Sequence, residues 1–348
     1  MRQRRLALCG AGMIAGAHAL AAQAVGMQVV AVASRRAERA RTAASQIGAR
    51  AVTYGDLPAG ADVVIVATPP ACHASDALEL LPTGVGVLVE KPFARTLADA
   101  DLLVSAAHDA GQRLAYGENL AHAPVVVAML RQTRRMTGVT HLDVRALQSL
   151  PTWGDFTTDG WGGGVLYDLG PHPLALAVLL GRAAGAGDVV AVSAQVRGGA
   201  THATDEYAEV TLRFAQGLTG RVVASWQHPG APVWDAQVAS ADAVIRGEIL
   251  PTAELSVNGD DVALTPQRSR LSPEVSALDA LGFVEQLRAF SDDLGERRRP
   301  FMDAEFGRLI LEIICAAYAS DREGNVEVPL PFAGSRHSTP LEIWRGQR

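Results

Sequence analysis

The stretch Leu6-Ala7-Leu8-Cys9-Gly10-Ala11-Gly12-Met13-Ile14-Ala15 decides how the rest of the chain is read. Four residues suited to a buried strand run into the form Gly-x-Gly-x-x-Ala, and an alanine-rich helical segment, Met13 to Ala24, follows. Two glycines permit a tight turn and close approach of a pyrophosphate, while Ala15 leaves room for a helix to lie against a sheet. The first backbone N–H groups of that helix attract an anion. The spacing predicts a strand, a dinucleotide-binding turn with Gly10, Gly12, Met13 and Ile14 at the phosphates, and a helix.

The alternation continues outward. Gln28 to Ala33, Val63 to Ala67, Val85 to Val89 and Arg113 to Tyr116 read as strands, and Ala37 to Ile47, His73 to Leu80 and Leu97 to Ala110 as helices. Compact apolar strands separated by helices suit a parallel sheet covered on both faces. With 348 residues and a prior of roughly 150 per domain, about two domains are expected. From His122 the pattern changes. A helix to Arg134 precedes strands at Val139 to Leu147, Val189 to Val196, Tyr207 to Phe214 and Gly220 to Trp226. Shorter ones follow at Gln237 to Ala239, Ala243 to Arg246, Glu254 to Val257 and Val262 to Leu264, with helices at Val165 to Leu180, Val275 to Asp293 and Ala304 to Ala319. The expected fold class is α/β: an N-terminal Rossmann doubly wound parallel sheet over residues 1–121, then an α/β domain on a largely antiparallel open sheet over 122–348.

Composition removes several functions. Thirty-seven acidic against 31 basic residues give a net charge of -6, and the one basic run, Arg297-Arg298-Arg299, is too short for a nucleic-acid footprint. Three cysteines (Cys9, Cys72 and Cys315) make no disulfide framework, and no His/Cys cluster suggests a metal, so a cytoplasmic protein without metal is expected. Arg2 to Arg5 before an apolar stretch superficially resembles a secretory signal, but cleavage there would remove the glycine turn. No uncharged apolar run of about 20 residues suggests a membrane span.

The end of the second strand reads Val32-Ala33-Ser34-Arg35-Arg36. An acidic residue there would accept the ribose hydroxyls of NAD, whereas a hydroxyl and two positive charges suit a 2′-phosphate. NADP is therefore preferred, with NAD the alternative, since Arg35 stacks on adenine equally well in either. Thr68-Pro69-Pro70 follows another buried strand and borders the cofactor, with His73 counted beside it. Glu90-Lys91-Pro92 follows the next, with Glu90 and Lys91 also counted as cofactor contacts at the nicotinamide edge. Lys91 is the only lysine, against 30 arginines, which marks a place where a compact ammonium is not replaced by a planar guanidinium. Such a group at the carboxyl end of a parallel strand binds a substrate hydroxyl or developing alkoxide. The isomer of the Lys91-Pro92 bond is left open by the sequence.

In the second half, Pro151-Thr152-Trp153-Gly154-Asp155-Phe156 and Asp159-Gly160-Trp161-Gly162-Gly163-Gly164 form a long loop. Trp153 and Trp161 either line a ligand cavity or anchor the loop. Tyr167-Asp168-Leu169-Gly170-Pro171-His172 comes next, with Tyr167 a third substrate candidate. On a continuous helix Asp168 and His172 share a face at i,i+4, and they serve either as a proton-transfer pair, the histidine taking a hydroxyl proton as hydride leaves or returning it in reduction, or as a helix-start carboxylate and a packing histidine; Pro171 either fits an early helical turn or disrupts that spacing.

Together these motifs resemble the Gfo/Idh/MocA oxidoreductase family: Gly10-Ala11-Gly12 with Ala15 and His18, Ala67-Thr68-Pro69, Glu90-Lys91-Pro92, and Gly162-Gly163-Gly164 followed by Asp168-Leu169-Gly170-Pro171-His172. The resemblance implies a second domain whose open sheet supports substrate binding and homo-oligomerisation. It also implies Lys91 and Asp168 positioning the reacting hydroxyl, His172 accepting its proton, and a small-molecule substrate among sugars, nucleotide sugars, inositols and related polyols. Two other classes stay open: a redox-inactive NADP-binding sensor or partner protein, and a cofactor-assisted lyase or glycosidase. Glu118-Asn119-Leu120-Ala121-His122-Ala123-Pro124 departs from the family pattern, lacking the aromatic and arginine before the proline. Asn119, as a cofactor contact, and His122 remain candidates there, against turn and helix-start roles.

Overall fold

A computed structural model describes residues 3–198, 202–264 and 272–347; Arg2 of the N-terminal basic run lies outside them. The first half alternates β1 (Arg5–Cys9), α1 (Met13–Ala24), β2 (Gln28–Ala33), α2 (Ala37–Ile47), β3 (Arg50–Ala51), β4 (Val63–Val66), α3 (Pro70–Leu80), β5 (Gly86–Glu90), α4 (Leu97–Asp109) and β6 (Leu114–Gly117). Among the described residues these strands make one sheet, parallel throughout, in the order β3-β2-β1-β4-β5-β6. The order reverses between β1 and β4, and in such sheets ligands bind outside the carboxyl ends of the strands at that reversal. Burial on both faces explains the unbroken apolar run of β4, Val63 to Val66.

The chain continues with α5 (Pro124–Thr133), β7 (Val139–Leu147), α6 (Val165–Asp168), α7 (Pro171–Ala183), β8 (Val189–Gly198), β9 (Asp205–Phe214), β10 (Thr219–Ser225), β11 (Val233–Ser240), β12 (Val244–Leu250), β13 (Glu254–Val257) and β14 (Asp260–Asp261). It ends with α8 (Pro273–Ala280), α9 (Phe283–Glu296), α10 (Ala304–Arg322), β15 (Val328–Pro329) and α11 (Pro340–Arg345). The second sheet runs β14-β13-β12-β11-β7-β10-β9-β8-β15 among the described residues, antiparallel except where β7 pairs with β10. Its α7, apolar on every side, packs on β7, β10 and α5, as a helix buried all round must. Alternation along β11 puts Ala236 and Val238 in the core and sends Asp235 to the opposite face, where it pairs with Arg145 of β7.

Two compact units result: Met1–His122 with Gln267–Arg308, and Ala123–Pro266 with Leu309–Arg348. A single cut between 121 and 122 was expected, yet the chain returns to its first unit after the second sheet. The cause is the amphipathic α9, whose Phe283, Val284, Leu287 and Phe290 join Ala15, Ala19 and Ala22 of α1 in one core. Each of the four larger side chains of α9 contributes about 1.5–3 kcal/mol on burial, as an upper figure.

Other boundaries differ from expectation. The helix expected over Val165 to Leu180 is two, because Gly170 donates back to Val165 O at 2.9 Å and Pro171 opens a new helix. The helix expected over Val275 to Asp293 is broken at Gly282, at φ 86°. Val262 to Leu264 is not a strand; the short β14 precedes it. The two-residue strands β3 and β15 carry too little pattern to be anticipated.

Candidate active site

In the first unit the β1–α1 turn is tied to β2 by the Gly10 N–H donating to Ala33 O at 2.9 Å. Gly10 has φ 121°, and a Cβ there would lie 2.5 Å from Ala67 O, so only glycine fits. Gly12, the N-cap of α1, faces open space: a Cβ would meet nothing within 4 Å. No side chain caps the helix and its first turn holds no acid, which leaves first-turn N–H groups for an anion. The turn therefore fits a dinucleotide pyrophosphate. Met13 is exposed and Ile14 half-buried beside it. At the end of β2, Ser34 is half-buried and Arg35 and Arg36 are exposed at the entry to α2.

After β4, Thr68 donates its hydroxyl to Asp76 Oδ2 at 2.6 Å, and Pro69 is exposed. His73 is wholly buried, with Nδ1 2.8 Å from Pro92 O and Nε2 2.8 Å from Thr68 O. Burial holds its pKa below the usual imidazole value, and a neutral ring donates to one of these carbonyls at a time. His73 thus staples the loop after β4 to the loop after β5; expected as a cofactor contact, it is a buried tie between two such loops.

At the end of β5, Glu90 is buried against His18, with Nε2 2.7 Å from Oε1, and its Oε2 accepts from the Lys91 N–H at 3.0 Å. Phe283 meets the His18 ring edge-on at 5.3 Å. The Lys91-Pro92 bond is cis and Lys91 is half-buried. Asn119 is buried, and its side-chain amide donates to Leu281 O at 2.7 Å. His122 is buried edge-on to Phe301, with ring centroids 5.8 Å apart.

In the second unit, Phe156 is buried at the centre of an aromatic group, with Trp153 and Trp161 each 4.8 Å from it and Trp226 at 6.4 Å. Trp153 is exposed and Trp161 half-buried. Tyr167 is fully buried against Gly163, in the core, where a direct substrate contact had been expected. Asp168 ends α6 and His172 is the second residue of α7, both buried, so they flank a break instead of sharing one continuous helix. The His172 ring lies 5.4 Å from that of Trp234, tilted 32°. Trp234 was not anticipated, although strand alternation in Trp234-Asp235-Ala236-Gln237-Val238 would have put it on the buried face. Among the described residues no group of three or more His, Cys, Asp or Glu side chains could hold a metal, and no helix is long and apolar enough to cross a membrane.

Residues 4–118 match the model of an oxidoreductase family with an NAD-binding Rossmann fold, and residues 132–248 match the Gfo/Idh/MocA C-terminal domain. The chain belongs to the Gfo/Idh/MocA oxidoreductase family. Within this NAD(P)-binding family it is 33% identical over 192 residues to dTDP-3,4-didehydro-2,6-dideoxy-alpha-D-glucose 3-reductase of Streptomyces violaceoruber, covering 52% of this chain and 55% of that one. It is 32% identical over 186 residues to D-glucoside 3-dehydrogenase of Escherichia coli K12, covering 50% and 53%. The matches span about a third to about half the length of the curated relatives. Among Gfo/Idh/MocA structures, that of GenD2 from gentamicin A biosynthesis in complex with NAD superposes with a TM-score of 0.83 at 26% identity, over 95% of this chain and 97% of that one.

Proposed function

We propose that this protein is an NADP(H)-dependent oxidoreductase that transfers hydride between nicotinamide and a secondary hydroxyl or carbonyl carbon of a sugar, nucleotide sugar, inositol or related polyol. The observation that carries the reading is Lys91, the sole lysine, at the carboxyl end of β5 in the sheet whose β1 end carries the open Gly10–Gly12 turn. A nicotinamide cofactor bound there supplies the hydride acceptor in oxidation and the donor in reduction. In oxidation the Lys91 ammonium donates to the reacting hydroxyl and stabilises negative charge developing on its oxygen. His172 accepts the hydroxyl proton as the carbonyl forms and returns it in the reverse direction. Asp168 orients the hydroxyl or the imidazole. The aromatic side chains Trp153 and Trp161 offer faces on which a sugar ring stacks.

Two matched relatives are named for chemistry at position 3 of a hexose, which makes that hydroxyl the first to test. Ser34, Arg35 and Arg36 support the 2′-phosphate of NADP(H). A second reading, NAD(H), is favoured by the NAD in the GenD2 complex. Calorimetry on nucleotide-stripped protein with NADPH and NADH in one buffer separates the two. The preferred cofactor is then offered with pyranosides, nucleotide sugars and inositols while nicotinamide absorbance is followed. Nucleotide binding without turnover on any of them overturns the oxidoreductase assignment in favour of a sensor or a cofactor-assisted lyase.

A further inference from the structure

Asp205 is a fully buried carboxylate with no part in the proposed proton and hydride transfers. Its Oδ1 accepts from the Gly164 N–H at 3.0 Å and from the Tyr318 hydroxyl at 2.6 Å, and its Oδ2 accepts from the Leu166 N–H at 2.8 Å. Those two amides begin α6. From β9, some 40 residues along the chain, Asp205 therefore does what a capping side chain does from the preceding residue: it satisfies first-turn donors that the helix leaves unpaired. Gly164 has to be glycine for this, since a Cβ there would collide with Asp205. Burial pushes the Asp205 carboxyl up to about 6, against the downward pull of the Tyr318, Leu166 and Gly164 hydrogen bonds.

The held segment leads directly to the proposed catalytic pair. The Asp168 N–H donates to Gly164 O at 2.9 Å, those of Leu169 and Gly170 donate to Val165 O at 2.8 and 2.9 Å, and that of His172 donates to Leu169 O at 3.2 Å. An unbroken run of short backbone bonds thus joins the anchored amides to both side chains. We propose that Asp205, backed by Tyr318, is a positioning residue that sets where Asp168 and His172 stand. A positioning group of this kind acts by holding the productive geometry to a fraction of an ångström. The inference rests on the roles given above to Asp168 and His172, but its test reads geometry and not turnover, so the two fail separately.

Trp234 supplies the probe. An aromatic ring 5.4 Å from His172 shifts its ring signals strongly, and a small displacement of α7 against β11 changes that shift. The full chain is labelled with 13C at histidine Cε1, and the His172 resonance is assigned by its loss in H172Q. At one fixed pH, D205N exchanges one carboxylate oxygen for an amide NH2 that faces backbone donors. The expected result is a His172 signal displaced by more than its linewidth, with those of His141 on β7 and His228 after β10, in the same unit, in place. Should D205N not fold, Y318F, which removes one donor from Oδ1 and leaves the carboxylate, is expected to displace the same signal. A His172 signal that stays put in the folded variant overturns the proposal. So does a common displacement of the His141, His172 and His228 signals, which marks general loosening of that unit.

Discussion

Nε2 of His18 on α1 lies 2.7 Å from Oε1 of Glu90 at the end of β5, both residues buried, and the other oxygen of that carboxylate holds the Lys91 N–H. A pair 72 residues apart in sequence thus fixes the backbone from which the sole lysine projects. Burial pushes the Glu90 carboxyl up, but the His18 hydrogen bond and charge, with Lys91, outweigh it and leave the pKa below the usual glutamate value. H18L strands this carboxylate in the core and should cost about 3–5 kcal/mol, as removal of one partner of a buried pair does. Urea denaturation of H18L, E90L and the double variant checks this: the double should lose less than the sum of the singles. Since the folded pKa of Glu90 is depressed, the stability it contributes is present above the usual glutamate range and is lost as pH falls through the folded value.

His122 produces a second acid sensitivity. Burial lowers its pKa from 6.5 to about 4, so the unfolded chain binds a proton there that the folded one refuses. Stability from the neutral ring is complete above 6.5 and is lost as pH falls towards 4, by roughly 3 kcal/mol in all. Asp205, raised to about 6, acts with the opposite sign: its contribution is complete below the ordinary aspartate pKa and is lost as pH rises through 6. H122F should therefore flatten the acid side of a Tm-against-pH curve, while D205N should reduce the loss between 4 and 6. An unchanged H122F curve would show that burial does not depress the pKa of this ring in the fold.

Cofactor choice should respond to the exposed pair at the start of α2. If Arg35 and Arg36 hold a 2′-phosphate, the double alanine variant loses two charge-assisted hydrogen bonds. At about 1.5–3 kcal/mol each this weakens NADPH by at least roughly 100-fold and leaves NADH within about threefold. Calorimetry at low and moderate salt measures both. Equal weakening of the two nucleotides would place the arginines at the adenine or the shared phosphates.

Substitution of Lys91 separates binding from chemistry. K91A should keep nucleotide affinity within about threefold and lower kcat by roughly 100- to 1,000-fold, the scale seen when one preorganised donor to a developing oxyanion is removed. K91R should not restore it, because a planar fork does not occupy the place of a compact ammonium. Abolished nucleotide binding in a folded K91A would reassign Lys91 to the cofactor.

The first unit was legible because its signals are local. Glycine spacing, apolar runs and loop motifs at strand ends all act within a few residues of where they are written, and a parallel sheet brings the carboxyl ends of its strands to one edge by topology. Gly10, Thr68, Glu90 and Lys91 accordingly stand at the carboxyl ends of β1, β4 and β5, with Glu90 turned inward onto His18. The i,i+4 reading of Asp168 and His172 failed at Gly170 and Pro171, where turn chemistry overrode helical periodicity. Tyr167 and His73 were named from their neighbours and proved buried, which a motif does not report.

By itself, then, the sequence determined the α/β alternation, the nucleotide turn, the change to a mainly antiparallel second sheet and the family. The tertiary structure alone decided that α9 returns to pack on α1, that β7 pairs in parallel with β10, that Trp234 faces His172, and that Asp205 and Tyr318 hold the start of α6. The reason is physical. Periodicity states which face of an element is apolar and a turn motif states how the chain bends, whereas the partner that covers that face or satisfies a buried donor is chosen by packing and hydrogen bonding between residues far apart in the chain.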